Sequence, residues 1–174
     1  NLLWGQGPPE APSLLDVEHY SIQAEIDPEE RFLEGAVRVR FKVLRDTLSL
    51  PFELNSRLSI LGVTDEDGQR YSTRFDDLKS HLMKVQGAKA FQPGSVWTLT
   101  FNFEGTLESD EYAFLDVARS EKAFITPDGA TLLTEGRWFP MHSFPLDAAS
   151  TDLEITVPLG FTAVAPGSLS LIHI

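Results

Sequence analysis

Apolar and polar residues alternate along nearly every segment of this chain. Between residues 20 and 26 every second residue is apolar, and the same period returns in residues 33–43 and 97–103. Because successive side chains of a β-strand point to opposite faces, this period predicts half-buried strands. No segment sustains the period of about 3.6 residues that is typical of an amphipathic helix, so the sequence predicts an all-β fold.

Turn signals separate the alternating segments from one another. Asp67-Gly68, Pro93-Gly94 and Pro127-Asp128-Gly129 are sequences at which a chain commonly reverses direction. Many short strands with turns between them predict a sandwich or a barrel. The predicted strands are residues 20–26, 33–43, 48–54, 58–63, 71–75, 82–85, 97–103, 112–115, 124–126, 131–134, 153–157 and 161–165. The side chains expected to be buried are Ile22, Ile26, Val37, Val39, Phe41, Leu99, Phe101, Ile155 and Val157.

Composition excludes several classes of function. The chain carries 14 Lys and Arg against 26 Asp and Glu, which gives a formal charge of −12. Nucleic acids and anionic membrane surfaces need a cationic face, so neither is expected as a partner. There is no cysteine, which excludes disulfides and thiolate metal sites. No apolar run approaches the roughly 18 residues that a membrane-spanning helix needs.

The two ends of the chain differ in character from its middle. Residues 1–13 are rich in Gly and Pro and predict a flexible lead-in, which could follow a removed signal peptide and would indicate export to the periplasm or beyond. Residues 14–168 form the predicted domain. Residues 169–174 read Leu-Ser-Leu-Ile-His-Ile, the translation of a transposase-based sequencing adapter, so we expect an artificial tail; the alternative is a natural apolar strand.

Catalytic motifs are absent from the sequence. It contains no His-Glu-x-x-His, no G-x-S-x-G, no P-loop and no dinucleotide-binding fingerprint, so the chain alone is not expected to be an enzyme. No histidine has another at helical ligand spacing. His19, His81 and His142 are therefore interpreted as strand-edge residues rather than metal ligands, and His173 lies in the suspected adapter.

Two further features have a structural and a functional interpretation. Asp65-Glu66-Asp67 offers carboxylates that calcium would accept, but Asp67-Gly68 explains the cluster as a turn. Trp97 lies in an apolar stripe and is predicted to be core rather than a sugar platform. Trp138 lies among irregular residues, where functional residues are common, and its role stays open.

The order of several segments resembles the M1 family of zinc metallopeptidases. Residues 16–22 read Asp-Val-Glu-His-Tyr-Ser-Ile, followed by Ile-Asp and by Phe-Leu-Glu-Gly-Ala-Val, which is similar to the opening of these enzymes. Downstream, Arg137-Trp138-Phe139-Pro140 and Pro145 resemble the family's arginine, Phe-Pro and second proline. Residues 153–158 and 163–167 resemble the next two segments, so the resemblance covers roughly residues 14–168.

The resemblance implies a fold and a role. The fold is the family's saddle-like antiparallel β-sandwich amino-terminal domain, here truncated at its C-terminal end. That domain is non-catalytic and helps to form the substrate-binding cleft. The implied partners are the missing catalytic domain of the same chain, which would hold the zinc, and a peptide substrate in the parent protein. This chain itself is expected to hold no cofactor.

The resemblance also implies candidate site residues. The family carries a Thr-Gln-x-Glu/Gln segment that helps to hold the amino end of the substrate, and the nearest match is Thr134-Glu135-Gly136-Arg137. The match lies about six residues closer to Phe139-Pro140 than in the family, and Arg137 stands where an acid or amide belongs. Glu135, Thr134 and Arg137 are the candidate substrate-binding residues, with Arg137 placed where it could neutralise Glu135.

Two other functions remain open at this point. The first is a free-standing β-sandwich binding module for carbohydrate or protein, which would need an exposed row of aromatic side chains. The second is an M1-like scaffold whose catalytic domain has lost its zinc ligands.

Overall fold

The computed structural model of this protein describes residues 13–108, 122–143 and 148–168. Within these ranges the chain forms ten β-strands and one short 3-10 helix, Thr134–Gly136, and no α-helix. The strands are β1 Leu15–Asp27, β2 Phe32–Val43, β3 Thr47–Glu53, β4 Leu58–Asp65, β5 Arg70–Phe75, β6 Leu82–Phe91, β7 Val96–Thr106, β8 Ala123–Thr126, β9 Gly129–Leu132 and β10 Ser150–Thr156. The all-β fold is therefore confirmed.

Eight of the strands form one sheet in the order β10-β1-β2-β7-β4-β5-β6-β3, and β8 and β9 form a separate hairpin. Every pair of neighbours is antiparallel except β1 and β10, which run parallel. The long strands β1 and β2 alternate almost perfectly between buried and exposed residues, as the sequence pattern predicts. One face of this hairpin is wet and the other faces the core.

The sheet curls so that its β6 and β3 end folds back over its middle strands. Phe52 of β3 lies edge-on to Phe101 of β7, with ring centroids 4.8 Å apart, although these strands are not neighbours in the sheet. Phe52 also meets Phe41 of β2 at 6.1 Å, and Phe91 of β6 meets Trp97 of β7 at 5.0 Å. These ring contacts show that β3 and β6 pack over β2 and β7, which gives the two layers of a sandwich.

The predicted core is confirmed where the two layers overlap. The buried members are Ile22, Ile26, Val37, Val39, Phe41, Leu99 and Phe101. The predicted burial of Ile155 and Val157 is wrong, because both are only partly buried against the core. The physical reason is their place in the sheet, since β10 is an edge strand and Val157 lies just beyond it.

Two predicted strands differ in the structure, and a third lies outside the described residues. Residues 131–134 do not form a whole strand, because β9 pairs with β8 only as far as Leu132 and the 3-10 helix follows from Thr134. Residues 161–165 form no strand; Phe161 instead donates a turn hydrogen bond to the carbonyl of Pro158. Residues 112–115 lie outside the described residues, as do Pro145 and the suspected adapter tail.

The two tryptophans of the described ranges both face inward. Trp97 is half-buried and packs against the core, and its indole nitrogen donates a hydrogen bond to Ser95 Oγ at 2.9 Å. Trp138 is buried, with its ring edge-on to that of Phe139 at 4.9 Å. The irregular segment that follows the 3-10 helix is therefore part of the core.

No helix in the described part of the chain is long and apolar enough to cross a membrane.

Candidate functional site

The candidate residues Thr134, Glu135 and Arg137 lie on one tight turn. Gly136 N–H donates to the Leu133 carbonyl and Arg137 N–H donates to the Thr134 carbonyl, both at 2.9 Å, which closes the 3-10 helix. Arg137 ends it in the left-handed region, at φ 52° and ψ 41°. A non-glycine residue adopts this conformation only at a cost in free energy, so the surrounding structure has to stabilise it.

Gly136 lets this turn lie directly against β8. A Cβ atom added at Gly136 would stand 2.5 Å from the Cβ atom and 2.6 Å from the amide nitrogen of Ala123. Real Cβ atoms do not approach other atoms so closely. Glycine is therefore required here for close backbone approach, and it fixes one side of the turn.

Asn55, two residues after the end of β3, fixes the other side of the turn. Asn55 N–H donates to the Arg137 carbonyl at 2.8 Å, and the Asn55 side-chain amide donates to the Gly136 carbonyl at 2.9 Å. The side-chain oxygen of Asn55 in turn accepts a hydrogen bond from the Arg57 amide at 3.0 Å. Two successive carbonyls of the turn are thus bound by a single asparagine.

The guanidinium of Arg137 binds Glu53, the last residue of β3. Arg137 Nε lies 2.5 Å from Glu53 Oε2, and the two side chains are 34% and 18% exposed. Another nitrogen of Arg137 lies 3.4 Å from the backbone carbonyl of Glu135, not from its carboxylate. Glu135 itself is exposed, and its carboxylate forms no ion pair with any residue of the described ranges.

These residues border a shallow open depression of about 280 Å³. Its lining includes Glu135 and Arg137, together with the cationic or titratable side chains of Arg57, His81 and Lys122. A carboxylate held on a fixed turn beside such a depression can accept charge-assisted hydrogen bonds from an ammonium or guanidinium group.

No protein-family model and no curated protein matches this chain. Solved structures do match it. The crystal structure of an M1 zinc metallopeptidase from Deinococcus radiodurans aligns with 91% of this chain at a TM-score of 0.73 and 20% identity. A mutant bound to a Tyr-Ser-Ala substrate, from the same organism, aligns with 90% of it at a TM-score of 0.71 and 21% identity. A two-domain M1 zinc metallopeptidase mutant bound to L-arginine gives the same three values.

The chain shares its fold with the aligned part of these M1 zinc metallopeptidases. The resemblance to the amino-terminal domain of that family, with its antiparallel β-sandwich, is confirmed by these alignments. This chain spans 36% of the length of each of the three solved chains. At about 20% identity the alignments establish a shared fold, and a shared fold does not by itself imply a shared activity.

The described residues of this chain do not form a zinc-binding site. In residues 13–108, 122–143 and 148–168 no three His, Asp or Glu side chains are grouped as metal ligands would be. The acidic run at residues 65–67 is a turn. Asp65 Oδ1 accepts from the amides of Asp67 and Gln69 at 3.0 and 2.9 Å, and Asp65 Oδ2 accepts from the Tyr71 hydroxyl at 2.8 Å.

These hydrogen bonds shift the pKa values of both Asp65 and Tyr71. Burial by itself raises the pKa of Asp65, but the hydrogen bonds from Tyr71 and from the backbone amides outweigh it and hold that pKa below its usual 3.8. Burial, followed by the hydrogen bond to Asp65 and its negative charge, raises the pKa of Tyr71 to about 12. Asp65 therefore acts as an organiser of the turn.

His142 has a role in the M1 fold of this chain that the sequence did not indicate. The sequence predicted a strand-edge residue, but His142 is buried at the end of the irregular segment. Its Nδ1 lies 2.9 Å from the Pro51 carbonyl, its Nε2 lies 3.0 Å from Ser13 Oγ, and its amide donates to the Tyr20 hydroxyl. It thereby ties β3, β1 and the chain before β1 together, and only its apolar neighbours hinted at burial.

The other two histidines of the described ranges, His19 and His81, are only half-buried. His19 lies within β1, between β10 and β2 in the sheet, and not at the strand edge that the sequence predicted. Its Nδ1 is 2.7 Å from Ser150 Oγ and its Nε2 is 3.4 Å from Asp152 Oδ2, so it links β1 to β10. His81 lies just before β6, half-buried at the rim of the depression.

Proposed function

We propose that this chain is the non-catalytic amino-terminal domain of an M1-type zinc metallopeptidase, and that its Glu135 turn faces the substrate-binding cleft. The observation that carries the proposal is the fold, which aligns with 90% or more of this chain but with only 36% of the solved M1 chains. The remaining length of such a protein would provide the catalytic domain. The zinc bound there would supply the hydrolytic chemistry.

The geometry around Glu135 supports its part in this proposal. The carboxylate is exposed on a turn that Gly136 and Asn55 hold on two sides, and Arg137 is bound to Glu53. The related structures are described as bound to a Tyr-Ser-Ala substrate and to L-arginine, molecules that carry an α-amino group. An unpaired carboxylate is the group that such an ammonium would bind. Thr134 lies beside Glu135 on the same turn and completes the proposed contact surface.

A free-standing carbohydrate-binding module is not supported by the described residues. Such a module stacks sugars on exposed aromatic side chains, but no aromatic side chain in the described ranges is exposed. Trp97 and Trp138, the residues best suited to stacking, both face the core.

The gene from which the chain derives tests the proposal. Sequence read beyond Ser168 should continue into a domain with His-Glu-x-x-His and a later glutamate, and the purified full-length protein should contain zinc and hydrolyse aminoacyl amides in a chelator-sensitive way. The 174-residue chain alone should do neither. Export is also part of the proposal, and sequence read upstream of Asn1 should then show a signal peptide.

Two results would overturn this account. Hydrolysis by the isolated chain would mean that it contains a catalytic site of its own. An extension that has the M1 fold without the zinc-binding motif would make the parent a non-catalytic scaffold.

Kinetics of a single variant test the role of Glu135 in the full-length protein. A charge-assisted contact to a substrate ammonium is worth about 1.5–3 kcal/mol. Glu135→Ala should therefore lower kcat/KM for aminoacyl substrates by roughly ten- to a hundredfold. Glu29→Ala, in the exposed turn between β1 and β2, is the matched control and should leave it unchanged. Equal values for the two variants would remove Glu135 from the substrate site.

A further inference from the structure

The pair formed by Glu53 and Arg137 is the most enclosed ion pair among the described residues. The Glu53 side chain is 18% exposed and that of Arg137 is 34% exposed, whereas the pair of Arg74 and Asp77 is 76% and 87% exposed. Partial burial strengthens an ion pair because less water screens the charges. This pair also joins two segments that are far apart in sequence, the end of β3 and the turn that carries Glu135.

The same end of β3 holds the backbone of the turn. Glu53 exchanges both backbone hydrogen bonds with Met141, at 2.6 and 3.0 Å, and Asn55 binds the carbonyls of Gly136 and Arg137. Asn55 therefore binds the carbonyls of Gly136 and Arg137, while Glu53 binds the Arg137 side chain and the Met141 backbone. We call this set of contacts the bracket. The left-handed backbone of Arg137 lies inside this bracket. Its conformation is one that the bracket has to maintain.

From these contacts we infer that Glu53, Asn55 and Arg137 are positioning residues, which hold the Glu135 carboxylate in place and keep its negative charge available for a cationic ligand. In this arrangement Arg137 acts through Glu135 rather than on the substrate, with its Nε bound to Glu53 and another of its nitrogens 3.4 Å from the Glu135 carbonyl. This inference rests on the proposed role of Glu135 and extends it, since it assigns to β3 the control of that site.

The charges explain why Glu53 matters as much as Arg137. Without Glu53 the guanidinium would lose its carboxylate partner and could turn to Glu135, two residues away on the same turn. That new pair would compete with a substrate ammonium for the same oxygen atoms. The inference therefore predicts that Glu53→Gln weakens substrate binding although Glu53 itself does not touch the substrate.

The structural half of the inference is tested on the 174-residue chain itself. Amide hydrogen exchange of residues 134–137 should become at least about tenfold faster in Glu53→Gln and in Arg137→Gln, because the bracket opens locally. Amides of β7 should exchange at unchanged rates in both variants, which shows that the fold is intact. Arg74→Gln, which breaks an exposed pair elsewhere, is the control and should not alter exchange at the turn. Unchanged exchange at residues 134–137 in both pair variants would overturn the inference.

The functional half is a double-mutant cycle in the full-length protein. Arg137→Gln should raise KM for aminoacyl substrates about five- to tenfold while kcat changes little, and Arg137→Lys should restore part of the loss. In a Glu135→Ala background the same Arg137→Gln change should have no further effect, because Arg137 acts only through Glu135. A loss of general stability would instead reduce activity equally in both backgrounds.

The outcomes separate this inference from the proposed function. If Glu135→Ala lowers activity but Arg137→Gln and Glu53→Gln do not, the positioning inference is wrong and the proposed function stands. If Arg137→Gln lowers activity equally in both backgrounds, Arg137 contacts the substrate directly or only stabilises the fold, and the inference is again wrong. If none of the three variants changes activity, the proposed role of Glu135 has failed.

Discussion

Strands β7 and β10 share an alternating sequence but have opposite environments. In β7 the alternate residues Leu99, Phe101 and Phe103 are completely buried, whereas in β10 Leu153 is 39% exposed and Ile155 is only partly buried. β7 lies inside the sheet between β2 and β4, and β10 lies at its edge beside β1. Alternation therefore predicts the strand itself, whereas burial depends on a second layer that the pattern does not reveal.

A third region completes the comparison. Residues 138–142 have no alternation and form no long strand, but Trp138, Phe139, Met141 and His142 are all buried. Their backbone finds partners in β3, through the mutual hydrogen bonds of Glu53 and Met141. Burial without a regular pattern is possible here because another strand satisfies the polar groups of the backbone.

The largest difference in stability is expected between alanine substitutions in β7 and in β10. Phe101→Ala would remove a fully buried ring that packs against Phe52 and should lower the free energy of unfolding by about 3–5 kcal/mol. Leu153→Ala should cost less than about 1 kcal/mol, because that side chain is 39% exposed. Chemical denaturation measures both. Similar losses for the two variants would mean that β10 is covered as β7 is.

A smaller effect is expected at the irregular segment. Gly136→Ala would place a Cβ atom 2.5 Å from that of Ala123, so the turn would have to shift, at a cost of roughly 1–3 kcal/mol. Gly62→Ala in β4 is the matched control, since no atom lies within 4 Å of its added Cβ, and it should change stability by less than about 0.5 kcal/mol. If the two substitutions were equally tolerated, the turn would not be held against β8.

The smallest effect concerns the partly buried β4–β5 hairpin, where Tyr71 and Asp65 form a polar contact. Tyr71→Phe deletes the hydrogen bond to Asp65 and should cost about 1 kcal/mol at neutral pH. The folded-state pKa of Tyr71 is raised from 10.0 to about 12, so its contribution is complete below pH 10 and is lost between pH 10 and 12. The variant should lack this alkaline loss of stability.

Measurements at low pH test Asp65, the other partner of the same hydrogen bond. The folded-state pKa of Asp65 lies below 3.8, so its contribution is present above pH 3.8 and is lost as the pH falls through the lower value. Denaturation of wild type and Tyr71→Phe from pH 2 to pH 12 measures both ends. A constant difference in stability over that range would contradict the assigned contact.

Much of the fold could be predicted from the sequence, and the reasons for the remainder are physical. Alternation located β1, β2 and β7 because one face of each is buried along its length. It placed residues 161–165 in a strand wrongly, because a strand also needs a neighbouring strand to bind its backbone, and in the described part of the chain these residues have no such neighbour.

The candidate site shows the same limit. The resemblance to M1 peptidases drew attention to Glu135 and Arg137, and the structure places them on one turn. It could not reveal that Arg137 binds Glu53, which precedes it by 84 residues. Contacts at such separation follow from the curl of the sheet, which brings the end of β3 beside the turn, and no local pattern encodes them.

The most direct test of the account is a crystal structure of the full-length parent protein with a bound amino acid. We expect an oxygen of Glu135 to lie about 3 Å from the ligand's amino nitrogen, with the Arg137 guanidinium still on Glu53 and the zinc held by the catalytic domain. A Glu135 carboxylate that faces bulk solvent, remote from both zinc and ligand, would contradict it.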